Sequence, residues 1–261
     1  MADPCVDVLL LEAPVNRHFA LLHADARTLT HAVTEYVQTG LQRGNGVVVI
    51  ASHALTDLLL TRLREEEVDP GVHLKSGRLE LHNAELTLRK FTRNDTPDWK
   101  DFRWTMSAIF ERVRAFGRGT SRTYDGMVDL LWHEEKQEAA IRIEEYWNAL
   151  ARLYPFSLFC SYRLDLHNDQ AYTGLEEIGR THSDILGTAD DERFRDALDS
   201  ASRDVFGVPL SEMVGFSRDH QDGEKRLPSG QRTMLWVKRN LPSASAAVLE
   251  RARRYYEASL R

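Results

Sequence analysis

Cysteine is scarce: Cys5 and Cys160 are the only two in 261 residues, which builds neither a disulfide framework nor a zinc site. Within Phe156-Ser157-Leu158-Phe159-Cys160-Ser161-Tyr162, Cys160 reads as a buried, reduced thiol. Long apolar runs are also missing, and nothing approaches the ~20 residues of a membrane helix. The short patch Val8–Leu11 is flanked by Asp3, Asp7 and Glu12, unlike the basic start and longer apolar core of a secretory signal. A mature, cytoplasmic sequence is the expectation. Catalytic signatures are missing as well. His133-Glu134-Glu135-Lys136-Gln137 lacks the second histidine of a zinc-protease helix, and there is no Gly-x-Ser-x-Gly elbow. No cofactor and no metal are expected.

The chain has 42% hydrophobic and 28% charged residues, the composition of an ordinary globular protein. Its net charge of −6 is unevenly spread. Residues 220–261 carry nine Lys/Arg against four Asp/Glu, while the rest carries 25 against 36. A basic tail on an acidic body favours intramolecular docking, ahead of a partner protein or weak nucleic-acid binding.

The most informative stretch is 18–52. His18–His23 is apolar between its ends and has the length of a buried strand. A turn at Ala24-Asp25-Ala26 leads into a helical period through Leu29, Val33, Val37 and Leu41, with Gly40 and Gly44 near its end. Val47–Ala51 then has the β-branched, uncharged character of a parallel strand covered on both faces. Strand, helix and strand at this spacing form a βαβ unit, and the loop after the first strand is where such folds bind ligands. In a nucleotide-binder that loop is glycine-rich and carries a lysine. Here it reads His23-Ala24-Asp25-Ala26-Arg27-Thr28, with neither.

Further strands are expected at 78–82, 122–128 and 156–162, and helices at 55–63, 87–92, 99–116 and 134–153. This alternation argues for a three-layer α/β fold with a mostly parallel sheet. Beyond Gly174 the strand signal fades into a helical appendage: 190–206, a polar loop at 217–230, a helix over 231–240 capped by Ser229, and a last one opened by Leu241-Pro242-Ser243. Val248, Leu249, Ala252, Tyr255 and Tyr256 form an apolar stripe on that last helix. Short striped helices are unstable alone, so they must pack on one another, on the body or across a homodimer. The expected division is 1–185 and 186–261.

Four segments resemble the MEDS family, the methanogen/methylotroph sensory domain: His18–Asp25, Tyr36–Ser52, Tyr124–Trp132 and Ile143–Leu164. The resemblance covers roughly residues 16–185, ending at a family-like His182-Ser183. It implies a RecA/KaiC-like fold without its phosphate-binding loop, a small organic ligand, and DNA-binding or histidine-kinase modules as associated outputs. Where the family has Gly-Glu-Met, this chain has Asp125-Gly126-Met127. The carboxylate has either moved by one position, which on a strand reverses its face, or left the site.

His18 and His23 are five apart on one strand and so face opposite sides. His18 reads as a structural hydrogen-bonder at the strand's start. His23, Asp25 and Arg27 stand where the phosphate loop would be and are ligand candidates. His53 shares that edge and reads as a surface loop residue. Glu144, Trp147 and Asn148 share one helix face. Trp147 reads as core, and Glu144 and Asn148 as a clamp on the sheet or as ligand contacts. Cys160 and Tyr162 share a strand face. Asp25 and Arg27 are expected to line one pocket, with Tyr124 and Cys160 or Tyr162 nearby; Asp125 and His182 complete the candidates.

The leading reading is a non-enzymatic sensory module that binds a small organic molecule at the strand ends and signals to a partner protein. An adaptor whose basic helices bind a signalling protein or nucleic acid is the alternative. A residual NTPase using Arg27, Thr28 and Asp125 ranks last.

Overall fold

The structure is a computed structural model that describes residues 4–116, 119–163, 174–215 and 227–259. The chain divides into two compact units: Pro4–Arg163, and Leu164–Arg261 together with Met1–Asp3.

In the first unit, α1 (Pro4–Glu12) precedes the βαβ unit of β1 (His18–His23), α2 (Ala26–Gln42) and β2 (Gly46–Ala51). Next come α3 (His53–Glu65), α4 (Pro70–Ser76), β3 (Leu79–Asn83) and α5 (Ala84–Leu88). A small hairpin, β4 (Thr92–Arg93) and β5 (Thr96–Pro97), leads to α6 (Trp99–Val113). The unit closes with β6 (Ser121–Asp125), α7 (Met127–His133), α8 (Gln137–Leu150) and β7 (Phe156–Arg163). Its strands run parallel in the order β3-β2-β6-β7-β1. The three central strands are buried almost throughout.

The sheet's two faces differ in character. On the α2 side, the Tyr36 hydroxyl lies 2.7 Å from Ser157 Oγ, and the rings of Phe19 and Phe159 stack at 5.2 Å. On the α6/α8 side, Trp147 meets Phe102 edge-on at 5.1 Å and also contacts Phe110 and Phe156. Arg122 is buried and donates to the carbonyls of Leu10, Leu11 and Tyr36. Its guanidinium thus satisfies the open carbonyl end of α1, where a cation is favoured. A Cβ on Gly40 would come within 2.7 Å of Arg122 Cδ, so this mid-helix glycine lets the guanidinium pass. The helix runs on beyond Gly40 and is followed by Gly44 at φ +81.

Several expected elements are corrected. The helix expected at 55–63 is followed by α4, which had no counterpart among the expected elements: Asp69 caps it and Pro70 fills its first turn. The helix expected at 87–92 is α5, displaced toward the N-terminus. The single helix expected over 134–153 is α8, preceded by α7 and separated from it by Glu135 at φ +59. His53 lies in the first turn of α3, exposed, with Nδ1 3.2 Å from Asp57 Oδ2, so it is a helix residue and not a loop residue.

The second unit contains α9 (Leu175–Thr181), a short strand β8 (Asp184–Leu186), α10 (Ala189–Phe206), α11 (Leu210–Gly215), α12 (Ser229–Asn240) and α13 (Pro242–Ser259). α10 packs along α12 and α13 through buried Phe194, Leu198, Met234, Val248 and Leu249. Ser229 does not cap α12 with its side chain. Asp191 of α10 does the capping: its carboxylate accepts from the Gly230 amide at 3.0 Å. Most of the polar loop expected at 217–230 lies outside the described residues, as does the Cys5 side chain.

Candidate functional site

The C-terminal edge of the sheet carries a cavity of about 230 Å³. The ends of β1, β2, β6 and β7 reach it through His23, Ser52, Tyr124 and Arg163, and α7 contributes Asp129. Leu29 of α2, Leu55 and Leu58 of α3, and Leu130 make its walls largely apolar. A cavity of about 150 Å³ suffices for benzene, and drug-sized ligands need roughly 300 Å³ or more. The volume therefore suits a molecule of a few more atoms than benzene.

His23 gives the cavity its chemistry. It is 3% exposed, and Nδ1 lies 3.0 Å from the Asp25 carbonyl oxygen. A carbonyl only accepts, so Nδ1 holds the proton and Nε2 is left as a bare acceptor. Among the described residues Nε2 has no hydrogen-bond partner. Burial lowers the imidazole's pKa, with the Asp129 carboxylate pulling the other way. A buried acceptor without a donor costs about 1–3 kcal/mol, and a ligand hydroxyl or N–H would recover that.

Asp25 sits at the N-terminus of α2, where a phosphate would bind in a nucleotide site. Its carboxylate accepts from the Thr28 amide at 2.8 Å and the Thr28 hydroxyl at 3.0 Å. The helix's anion position is thus taken by the protein's own carboxylate. Partial burial raises the Asp25 pKa, but the Thr28 hydrogen bonds, with the Arg27 amide and nearby His23, together hold the group below the ordinary value. This contribution to stability is complete above the ordinary carboxylate range and is lost as pH falls through the lowered pKa. Asp25→Ala is expected to cost about 1 kcal/mol in urea unfolding near neutral pH, with the difference shrinking in acid.

A second polar group lies on the opposite face of the sheet, between β1, β7 and α8. Glu144 is fully buried. Its Oε2 lies 3.0 Å from His18 Nε2 and accepts from the Cys160 thiol at 3.5 Å; its Oε1 accepts from the Tyr162 hydroxyl. His18 Nδ1 is 2.9 Å from Asn148 Oδ1, and His18 Nε2 is 3.4 Å from Cys160 Sγ. Nearby, Asp125 accepts from Trp147 Nε1 at 2.6 Å and from the Met127 amide at 2.7 Å. Burial, and next the charge of Glu144, pushes its pKa up to about 7. Burial and Glu144 likewise raise the Cys160 thiol and the Tyr162 phenol well above their ordinary values.

The structure thus separates residues that the sequence reading placed in one pocket. His23 and Tyr124 line the cavity, whereas Asp25 and Arg27 are exposed and outside its lining. Cys160, Tyr162, Glu144, Asn148, His18 and Asp125 belong to the other face. Side-chain parity explains this: Ser161, between Cys160 and Tyr162, is the β7 residue that meets the Tyr124 hydroxyl, at 2.8 Å. His182 is in the second unit, buried just after α9, with Nδ1 2.8 Å from the Ile178 carbonyl oxygen. Sequence reasoning missed Asp129 and the leucines of α3 as cavity residues. The Asp129 and Leu130 positions follow from α7, a helix that the sequence pattern does not reveal.

Residues 17–183 match the family model MEDS, the MEthanogen/methylotroph, DcmR Sensory domain. The chain belongs to the MEDS family. It therefore carries a sensory domain, spanning all of the strand-edge cavity and the buried cluster behind it. No curated protein matches the MEDS chain. Among solved structures, it is similar to that of C. elegans PCH-2, with a TM-score of 0.32 and 9% identity, over 98% of this chain and 66% of that one. The MEDS chain thus spans just under two thirds of that protein's length. Among the described residues no helix is long and apolar enough to cross a membrane.

Proposed function

We propose that this MEDS protein senses a small, weakly polar organic molecule bound at the C-terminal edge of the sheet, without chemically transforming it, and signals to a partner protein. The observation that carries this reading is the partnerless Nε2 of buried His23 in a largely apolar cavity of about 230 Å³. A ligand with one hydroxyl or N–H donor and a compact apolar body satisfies both features. The Asp25 cap weighs against phosphate and hence against a residual NTPase.

A ligand shifts a conformational equilibrium only by its difference in affinity for the two states. The bridge from ligand to signal is therefore the group of elements that meet at the cavity: α2, α3 and α7.

The test is thermal unfolding across a panel of small alcohols, amines and halogenated or methylated hydrocarbons. A true ligand at a hundred times its Kd stabilises the fold by about 2.7 kcal/mol. His23→Phe is expected to abolish the shift for donors by filling the cavity and removing the acceptor. No shift with any compound, or equal shifts in the variant, would sink the proposal. Stabilisation by ATP with magnesium would restore the NTPase reading.

A further inference from the structure

The cluster on the far face of the sheet has no part in that ligand reading, and its geometry points to another one. We propose that His18 Nε2, Glu144 Oε2 and Cys160 Sγ form a binding site for a zinc-class transition-metal ion. Each residue offers one ligand atom. The three atoms stand 3.0 Å (His18–Glu144), 3.4 Å (His18–Cys160) and 3.5 Å (Cys160–Glu144) apart. Zinc–nitrogen, zinc–oxygen and zinc–sulfur bonds of ordinary length at tetrahedral angles place such donors about 3.3–3.6 Å apart. The triangle therefore matches one face of a zinc tetrahedron with only the His18–Glu144 edge needing to open.

The surroundings orient the donors as a metal centre requires. Asn148 Oδ1, 2.9 Å from His18 Nδ1, can accept that nitrogen's N–H, so that a bound ion takes the place of any proton on Nε2. The Tyr162 hydroxyl donates to Oε1 of Glu144 and so helps to hold Oε2 toward His18 and Cys160. The donors sit on two neighbouring parallel strands and a packed helix, so the geometry is set by the core and not by a loop. A divalent ion balances the thiolate and carboxylate charges, which burial alone would not leave ionised. Binding displaces the Cys160 proton to solvent, and the Sγ–metal bond forms in its place. A nitrogen, sulfur and oxygen set favours zinc or a similar ion over magnesium or calcium.

The test uses the full chain, stripped by chelator and then titrated with cobalt(II) and with zinc. The expected result is one tightly held ion per chain, a thiolate-to-cobalt charge-transfer band, the strong visible bands of tetrahedral cobalt, and their loss when zinc is added. Cys160→Ser should remove the charge-transfer band, and His18→Gln should weaken zinc binding at least tenfold. His31→Ala, at an exposed pair with Glu35, should change neither. Circular dichroism first establishes that the variants fold; should one not fold, the wild-type cobalt spectrum decides alone. Absence of the charge-transfer band in the wild-type protein, or equal zinc affinity in the folded Cys160 and His18 variants, would overturn the proposal.

Discussion

Glu144→Ala is expected to destabilise the Pro4–Arg163 unit by about 3–5 kcal/mol, the size expected when several buried polar groups lose a shared partner, at about 1–3 kcal/mol each. The size follows from how many groups depend on one side chain. Its carboxylate serves His18, Cys160 and Tyr162, and none of the four residues has more than slight solvent exposure. Alanine leaves their polar atoms facing a void that the stiff sheet cannot close. Glu144→Gln keeps an acceptor and most of the volume, so it should cost less. Urea unfolding followed by tryptophan fluorescence separates the two, and equal losses would mean that charge, not volume, is what Glu144 provides.

The same pair of variants bears on pH. Burial and the charge of Glu144 raise the Asp125 carboxyl to about 7, above its ordinary 3.8. A raised folded-state pKa means that the folded protein holds the proton more tightly than the unfolded chain. This contribution is complete below about pH 4 and is lost as pH rises through about 7. Glu144→Gln removes the second-largest cause of the shift, so chelator-treated variant protein should lose less stability between these limits than the wild type. Superimposable profiles would show that burial alone sets the Asp125 pKa.

How far these features could be read from the sequence depended on the range of the interactions that fix them. The five strands of the parallel sheet in the Pro4–Arg163 unit were legible because apolar or alternating runs between turn residues need no distant partner to declare themselves, whereas the β4–β5 hairpin was not read. The opposite facings of His18 and His23 followed from strand periodicity alone. The helix over Pro4–Glu12 was not legible: its carbonyl end is satisfied by Arg122, more than a hundred residues away, and nothing local announces that partner. The α7 helix was hidden because Gly126-Met127-Val128 reads as the continuation of the strand expected over 122–128, while in the fold the strand ends at Asp125 and Gly126 is the residue from which the helix starts.

The buried cluster is the clearest case of a site beyond local reading. His18 and Cys160 are separated by 142 residues and meet because β1 pairs in parallel with β7, Ala20 opposite Cys160. A single sequence holds no signal for that register. Each of the two residues therefore looked solitary, and the cysteine count alone argued against a metal. The expected pocket failed for a related reason. Cys160 and Tyr162 do lie on the strand flanking the cavity, but a one-residue change of parity sends them to its far side.

In the second unit, Leu249→Ser is expected to cost about 2–5 kcal/mol, the range for truncating a large buried aliphatic side chain, with a further penalty for a buried hydroxyl. Leu249 is 1% exposed, on the helix that packs along α10. The sequence pattern puts Tyr255 on the same stripe, but that ring is 42% exposed and its hydroxyl donates to Asp204 at 2.8 Å. Tyr256 takes the inner position instead, edge-on to Phe194 at 6.4 Å between ring centroids. Tyr255→Ser should therefore cost much less than Leu249→Ser, because solvent competes for that hydroxyl and covers much of the ring. Arg254→Ala breaks an exposed pair with Glu250 and should cost about 0–1 kcal/mol. Hydrogen exchange across α10, α12 and α13 is the measurement, because it reports opening of this unit separately from the sheet. The expected order of loss is Leu249→Ser, then Tyr255→Ser, then Arg254→Ala. If the arginine variant opened the helices most, charge would be holding them. Val248, Leu249 and Ala252, buried against Phe194 and Leu198, make apolar burial several times stronger than any exposed ion pair here.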